Sequence, residues 1–260
     1  NCKNKSENTE KCKEENVIIL YDRGLIDGLA YTDIEDVEWI FDHNSVTLHS
    51  LMNRYDAVIH MVTAADGAEE AYLANMKNNV ARYENVEEAR AADKALKNVW
   101  TGHPHLRIVD NSTDFAEKIT RVMTEICAVI GKPAPLEIER KILIKQPDIK
   151  EISKYVKLSM TQIVQTYLCD DGSGIERRIR MRGLPGDYTF FYTEKKPVSP
   201  GVRVETERKI SEKEYFNYLF QSDCEKRQIK KTRFCFIHEN LYYELDIYPF
   251  WKDLAILEIE

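Results

Sequence analysis

Between Glu137 and Glu260, acidic and basic residues recur at every second position. Glu137, Glu139 and Lys141 form one such run; Arg178, Arg180 and Arg182 form another, and Arg203, Glu205 and Glu207 a third. Lys231 and Arg233, Glu244 and Asp246, and Glu258 and Glu260 repeat the pattern. A period of two places such side chains on one face of a strand. Carboxylate oxygens suit a hard divalent cation such as Mg²⁺ or Mn²⁺, whereas guanidinium and ammonium groups suit phosphoryl oxygens. Both kinds on neighbouring strands are what a site for metal plus polyphosphate requires.

Two orientations of the pleat fit this pattern. The intervening positions are largely apolar, among them Ile138, Ile179, Met181, Val204, Leu245, Ile247, Leu257 and Ile259. Either these face a core and the charges face water, or the charges line an interior. Buried charge is tolerated only when paired or bound to a ligand, because desolvation costs several kcal/mol per ion.

Several strands must carry these runs. Residues 136–144, 162–168, 177–182, 188–195, 202–210, 232–237, 241–248 and 254–259 read as strands, separated by turn signals such as Asp170-Asp171-Gly172 and Glu239-Asn240. One helix, over 212–221, interrupts them. So many adjacent strands predict an antiparallel sheet or barrel. The preceding half reads differently. Apolar runs at 17–21, 57–62 and 106–109 fit strands buried on both faces. Helical patterns over 35–53, 69–99 and 114–130 separate or follow them, and alternation of this kind predicts an α/β unit with a parallel sheet. The domains read as a polar segment over 1–16, an α/β unit over 17–131, a linker over 132–136 and a strand-rich unit over 137–260.

Charge is unevenly distributed. Residues 1–136 carry 15 Lys/Arg against 23 Asp/Glu, and residues 137–260 carry 22 against 21. The basic excess of a nucleic-acid binder is absent, so no nucleic acid is expected as partner. The six cysteines lack metal-ligand spacing, and no apolar run approaches the roughly 20 residues of a membrane span. These features predict a cytoplasmic protein.

The segment EIERK at Glu137–Lys141 resembles the ExExK signature of the CYTH, or triphosphate tunnel, family. RRIRMRG at Arg177–Gly183, TEKK at Thr193–Lys196, RVETE at Arg203–Glu207, KTRF at Lys231–Phe234, ELDIY at Glu244–Tyr248 and LEIE at Leu257–Glu260 continue the resemblance in order. It implies an eight-stranded antiparallel tunnel with charges inward. Carried over, it implies Glu137, Glu139, Glu258 and Glu260 as ligands for Mg²⁺ or Mn²⁺, assisted by Glu205 and Glu207, with Glu137 and Glu139 also in the catalytic set. Lys141, Arg178, Arg180, Lys195, Arg203, Lys231 and Arg233 would grip phosphates.

In the first half, VIILYDRG at Val17–Gly24 and the stretches after it resemble the P-loop ATPase domain related to nicotinamide-riboside kinases. That family includes fusions to a CYTH domain, as in the insect TRPL-translocation-defect proteins, which implies binding of GTP or ATP and of anionic phospholipid at a membrane periphery. Asp22 would handle Mg²⁺ in a catalytic role, with Arg23 and Asp27 on the substrate side. Arg82 and Arg90 would close on phosphates, and Asn111 reads as a turn residue or a border of the base. No GxxxxGK[ST] phosphate loop is present, the first glycine being Gly24. The α/β unit is therefore expected to be partial, with its first strand and that loop upstream of Asn1. A nucleotide- and polyphosphate-binding two-domain protein is the expectation; a metal-dependent triphosphatase, a small-molecule kinase and a phospholipid-binding regulator are the alternatives.

Overall fold

Val58–Met61 (β1) and Leu106–Val109 (β2) are short apolar runs that lie side by side in parallel, Val58 opposite Leu106 and Met61 opposite Val109. The computed structural model describes residues 17–78, 84–131, 140–199 and 202–259. Helices surround this pair. Ile34–Asn44 (α1) stops where Ser45 turns left-handed, at φ 49°, and Thr47 then caps Leu48–Met52 (α2) through a reciprocal pair of bonds with Ser50. The single helix expected over 35–53 is thus two, because a left-handed residue takes the chain off the helical path. Glu69–Asn78 (α3) is followed by Val86–Trp100 (α4), which opens on an Asn85–Glu88 capping box. Phe115–Val129 (α5) opens on the Asp114 side chain, and Gly131 follows at φ 71°.

The strand expected at Val17–Tyr21 is not one. This stretch has no ladder partner among the described residues, and Val17 and Leu20 are 51% and 74% exposed. An apolar run becomes a strand only where another strand takes up its backbone groups, and β1 and β2 pair with each other instead.

The second unit is a single antiparallel sheet. Its strands are Arg140–Lys145 (β3), Ser159–Tyr167 (β4), Glu176–Leu184 (β5), Asp187–Ser199 (β6), Val202–Ile210 (β7), Ile229–His238 (β8), Leu241–Ile247 (β9) and Leu254–Ile259 (β10). They lie in the order β3-β10-β9-β8-β4-β5-β6-β7. This is the eight-stranded antiparallel sheet that the sequence predicted; among the described residues no ladder joins β3 to β7. Two short helices accompany it, Ile149–Ile152 (α6) and Glu212–Leu219 (α7). The second begins at a Ser211–Glu214 capping box and buries Tyr215 against Leu168, Ile179, Phe190 and Ile210. That covers part of one sheet face with aliphatic and aromatic contacts.

A shared core joins the two units. Ile26, Leu51, Met52, Val99, Trp100 and Leu106 pack with Cys235 and Tyr242 of the sheet. No helix among the described residues is long and apolar enough to cross a membrane.

Candidate functional site

Register decides which charges meet. Arg233 lies opposite Asp246 on β9 and Thr161 on β4; Glu258 lies opposite both Glu244 and Lys141. Arg178 lies opposite Thr193, which lies opposite Glu207, and Lys195 lies opposite Glu205. All these residues share one face, and Arg180 and Lys231 share it too, while the Arg203 side chain lies outside the described residues. The other face carries Ile179, Leu245 and Ala255.

The charged face is buried. Glu244 and Asp246 are 1% and 0% exposed, and Arg182, Lys195, Arg233 and Glu258 are buried with them. Charges inward is therefore the orientation adopted; Lys195, Arg233, Glu244, Asp246 and Glu258 each have a partner of opposite charge, and Arg182 donates to the Gly102 carbonyl.

Two clusters result. In the first, Arg233 is bound by three carboxylates. Its Nε donates to Asp246 Oδ1 at 2.7 Å and its Nη2 to Asp246 Oδ2 at 2.7 Å and Glu258 Oε2 at 3.0 Å, while Nη1 pairs with Glu244. Burial works against the Arg233 charge, but Glu244, Asp246 and Glu258 outweigh it and hold the group charged. Burial also pushes Glu244 and Asp246 toward protonation, and Arg233 more than reverses this, leaving both below the usual carboxylate range. Lys231 pairs with Asp246 yet is brought down to about 8, first by burial and then by adjacent Arg233. The asymmetry has a simple cause: Asp246 is served by two cations, and Lys231 shares its carboxylate with a stronger competitor. Glu258 is pushed up, chiefly by burial.

In the second cluster, Glu205 binds Arg178 at 2.8 Å and Lys195 at 2.8 Å. Glu207 accepts from Thr193 at 2.9 Å and faces Arg180 at 3.4 Å. Burial works against the Glu207 carboxylate, but Arg180, then His105 and Thr193, hold it below its ordinary range.

Three donors on this face are buried without a partner: Arg178 Nε, Arg180 Nε and Thr161 Oγ1. A buried N–H left unmade costs about 1–3 kcal/mol. Donors held this way suit an anion with several acceptor oxygens.

The metal ligands read from the sequence stand differently. Glu205, Glu207 and Glu258 are each tied to cations, and among the described residues no three His, Cys, Asp or Glu gather around a point where an ion could sit. Glu258 Oε1 faces Lys141 at 3.7 Å, too far for a hydrogen bond, which leaves that oxygen able to accept a cation. Glu137, Glu139, Glu260 and Arg82 lie outside the described residues.

In the α/β unit, Asp22 and Arg23 are exposed on a bend, Arg23 at φ 78°, and among the described residues no strand precedes them. Asp27 is occupied, accepting from Trp100 Nε1 at 2.7 Å and from Gly24 N at 3.1 Å. Arg90 donates to the Ala65 carbonyl at 2.7 Å and pairs with Glu69. Asn111 is a turn residue, donating at 2.7 Å to both the Thr63 and Asp66 carbonyls.

Glu244, Asp246, Arg182 and Thr161 belong to the charged face but were not among the predicted site residues. The first three were signalled by the same alternation, whereas Thr161 is a neutral residue with no signal of its own. His105 reaches Glu207 at 3.9 Å from the other unit, a juxtaposition no local pattern announces.

Residues 2–118 match the family described as an AAA domain. No curated protein matches the chain. Among solved structures, the inorganic triphosphatase NE1496 is similar at 26% identity, covering 48% of this chain and 75% of that one, with a TM-score of 0.32. The PH1819 protein from Pyrococcus horikoshii OT3 is similar at 21% identity over 47% of this chain and 78% of its own, with a TM-score of 0.37. HpAC1 from Hippeastrum, described as showing a dominant triphosphatase activity, is similar at 14% identity over 47% of this chain and 79% of its own, with a TM-score of 0.32.

Proposed function

We propose that the charged face of the eight-stranded sheet binds the phosphate chain of inorganic polyphosphate or a nucleoside triphosphate. The observation that carries this reading is the set of buried, unpartnered Arg178 Nε, Arg180 Nε and Thr161 Oγ1 donors on one face with Lys195, Lys231 and Arg233. Phosphoryl oxygens supply the acceptors these donors lack, and guanidinium groups match them bidentately. Lys141 extends the same face by register, and Arg203 keeps its assignment to the phosphates.

A divalent cation belongs to this reading. Mg²⁺ or Mn²⁺ would be held by Glu258 with Glu137, Glu139 and Glu260, and would neutralise charge on the bound phosphates. Glu205 and Glu207 act chiefly as counter-charges that hold Arg178, Arg180 and Lys195 in place. Asp22, Arg23, Arg82 and Arg90 keep their assignment to a nucleotide on the α/β unit, supported by the AAA match over residues 2–118.

Calorimetric titration of the full chain with tripolyphosphate in Mg²⁺ tests the reading. Arg178→Ala with Arg180→Ala should weaken binding at least tenfold, since each charged hydrogen bond contributes about 1.5–3 kcal/mol. Unchanged affinity would remove the charged face as the site. Following phosphate release in the same mixtures distinguishes a hydrolase from a binder.

A further inference from the structure

The two ends of the charged face differ. Tyr242 near the start of β9 and Ser159 at the start of β4 are covered by the α/β unit: Gly102 N donates to Tyr242 Oη at 3.2 Å, and a Cβ on Gly102 would fall 2.2 Å from Ser159 Oγ. The opposite ends of these strands carry rings instead. Tyr167 closes β4, and Tyr248 follows β9 in phase with Glu244 and Asp246.

Tyr248 is part of a cluster. Its ring centroid is 5.3 Å from that of Phe250 and 5.2 Å from that of Trp251, and Phe250 and Trp251 are 5.3 Å apart. Phe250 is 64% exposed. Three mutually packed rings at the tip of a β-hairpin, one of them largely in water, need a reason beyond core formation. Their position supplies one. Lys231 Nζ lies 5.9 Å from the Tyr248 ring and pairs with Asp246, so the aromatic cluster adjoins the first charged cluster. The Tyr167 ring at the end of β4 lies 5.2 Å from Nζ of Lys226, in the segment before β8.

We infer that the Tyr248–Phe250–Trp251 cluster is a stacking platform for the base of a nucleoside triphosphate whose phosphates lie on the charged face. The ligand enters phosphates first, because the α/β unit covers the other end, and its base remains at the aromatic rim. Every base has a π-face, so the platform tolerates different bases. This inference rests on the proposed phosphate site and goes beyond it by naming the part of the ligand that lies outside the charged face.

The test compares ATP with tripolyphosphate by calorimetry on the full chain in Mg²⁺, for wild type and for Phe250→Ala combined with Trp251→Ala. ATP affinity should fall about tenfold, roughly the contribution of one stacked ring, with tripolyphosphate affinity within twofold of wild type. A second measurement guards against loss of folding. ATP should quench the Trp251 fluorescence, and Trp251→Phe should abolish that quenching while keeping most of the affinity. Tripolyphosphate should also displace ATP, which places both at one site. Equal losses for the two ligands, no loss for either, or ATP binding that tripolyphosphate does not displace would overturn the platform while leaving the phosphate site standing. Failure of tripolyphosphate to bind wild type would remove both.

Discussion

Arg182 Nη2, on the sheet, donates a 2.8 Å hydrogen bond to the carbonyl oxygen of Gly102, in the turn after α4. Arg182 is 3% exposed. This bond seats the α/β unit on one margin of the charged face, and Lys209 extends the seat by donating to the Asn53 and Tyr55 carbonyls at 3.0 and 3.1 Å. The approach is close enough that Gly102 has room for no side chain.

Gly102→Ala should therefore destabilise the protein by about 2–4 kcal/mol, combining an unfavourable φ of 104° with overlap against Ser159. The part due to overlap should be recovered in the double variant with Ser159→Gly, whereas the part due to φ should not. Urea unfolding of the four proteins of this cycle measures the coupling. Strict additivity would show that the two residues do not compete for space.

His103 carries a pH dependence. It is fully buried, its Nδ1 accepts from His105 N at 3.1 Å and its Nε2 lies 3.2 Å from the Tyr55 carbonyl. These contacts require the neutral ring with its proton on Nε2. Burial, foremost, pushes its pKa down to about 3. The unfolded chain takes up the proton near pH 6.5, so stability is intact above that pH and declines below it. The slope is about 1.4 kcal/mol per pH unit. His103→Gln, which cannot be charged, should lose this limb between about pH 6.5 and pH 4, read as a flatter plot of unfolding free energy against pH.

Asp93 contributes in a lower window. Burial alone would raise its pKa, but His60 at 2.9 Å, then Lys97 at 2.9 Å and Thr63 N at 2.9 Å, bring it down to about 2. A depressed carboxyl stabilises above its unfolded pKa and loses that contribution as pH falls through the folded value. Asp93→Asn should cost about 2 kcal/mol at neutral pH and progressively less between about pH 4 and pH 2.

Arginines on the charged face should divide into two classes. Arg233→Met leaves Glu244 and Asp246 buried without their main partner and should cost about 3–5 kcal/mol. Arg178→Ala and Arg180→Ala should cost less, because Glu205 keeps Lys195 and Glu207 keeps Thr193. Urea midpoints rank the three, and a folded Arg178→Ala protein is what makes the phosphate titration interpretable.

Much of the strand-rich unit could be read before any coordinates. The bounds of β7 and β10 coincide with the runs 202–210 and 254–259: β7 stops at Ser211, which caps α7, and β10 is an aliphatic run that begins after the polar Lys252-Asp253. Strand β2 coincides with the run 106–109 and α5 lies within 114–130, whereas the pattern over 69–99 divides into α3 and α4. The failures lay where a local pattern needs a distant partner. Val17–Leu20 is as apolar as β1, yet no strand lies beside it among the described residues. Ser45 carries no mark of the left-handed conformation that splits α1 from α2.

Alternation by itself determined which residues of one strand share a face: Arg178 with Arg180 and Arg182, Lys231 with Arg233, Glu244 with Asp246. It could not determine which face would be covered, because a period of two is symmetric between the two sides of a sheet. The tertiary structure made that choice by placing α7 against Ile179 and Phe190 on one side and the Gly102 turn against Arg182 and Tyr242 on the other. Covering the charged side excludes the water that would otherwise solvate it, and only then do Arg233 and its carboxylates have to satisfy one another.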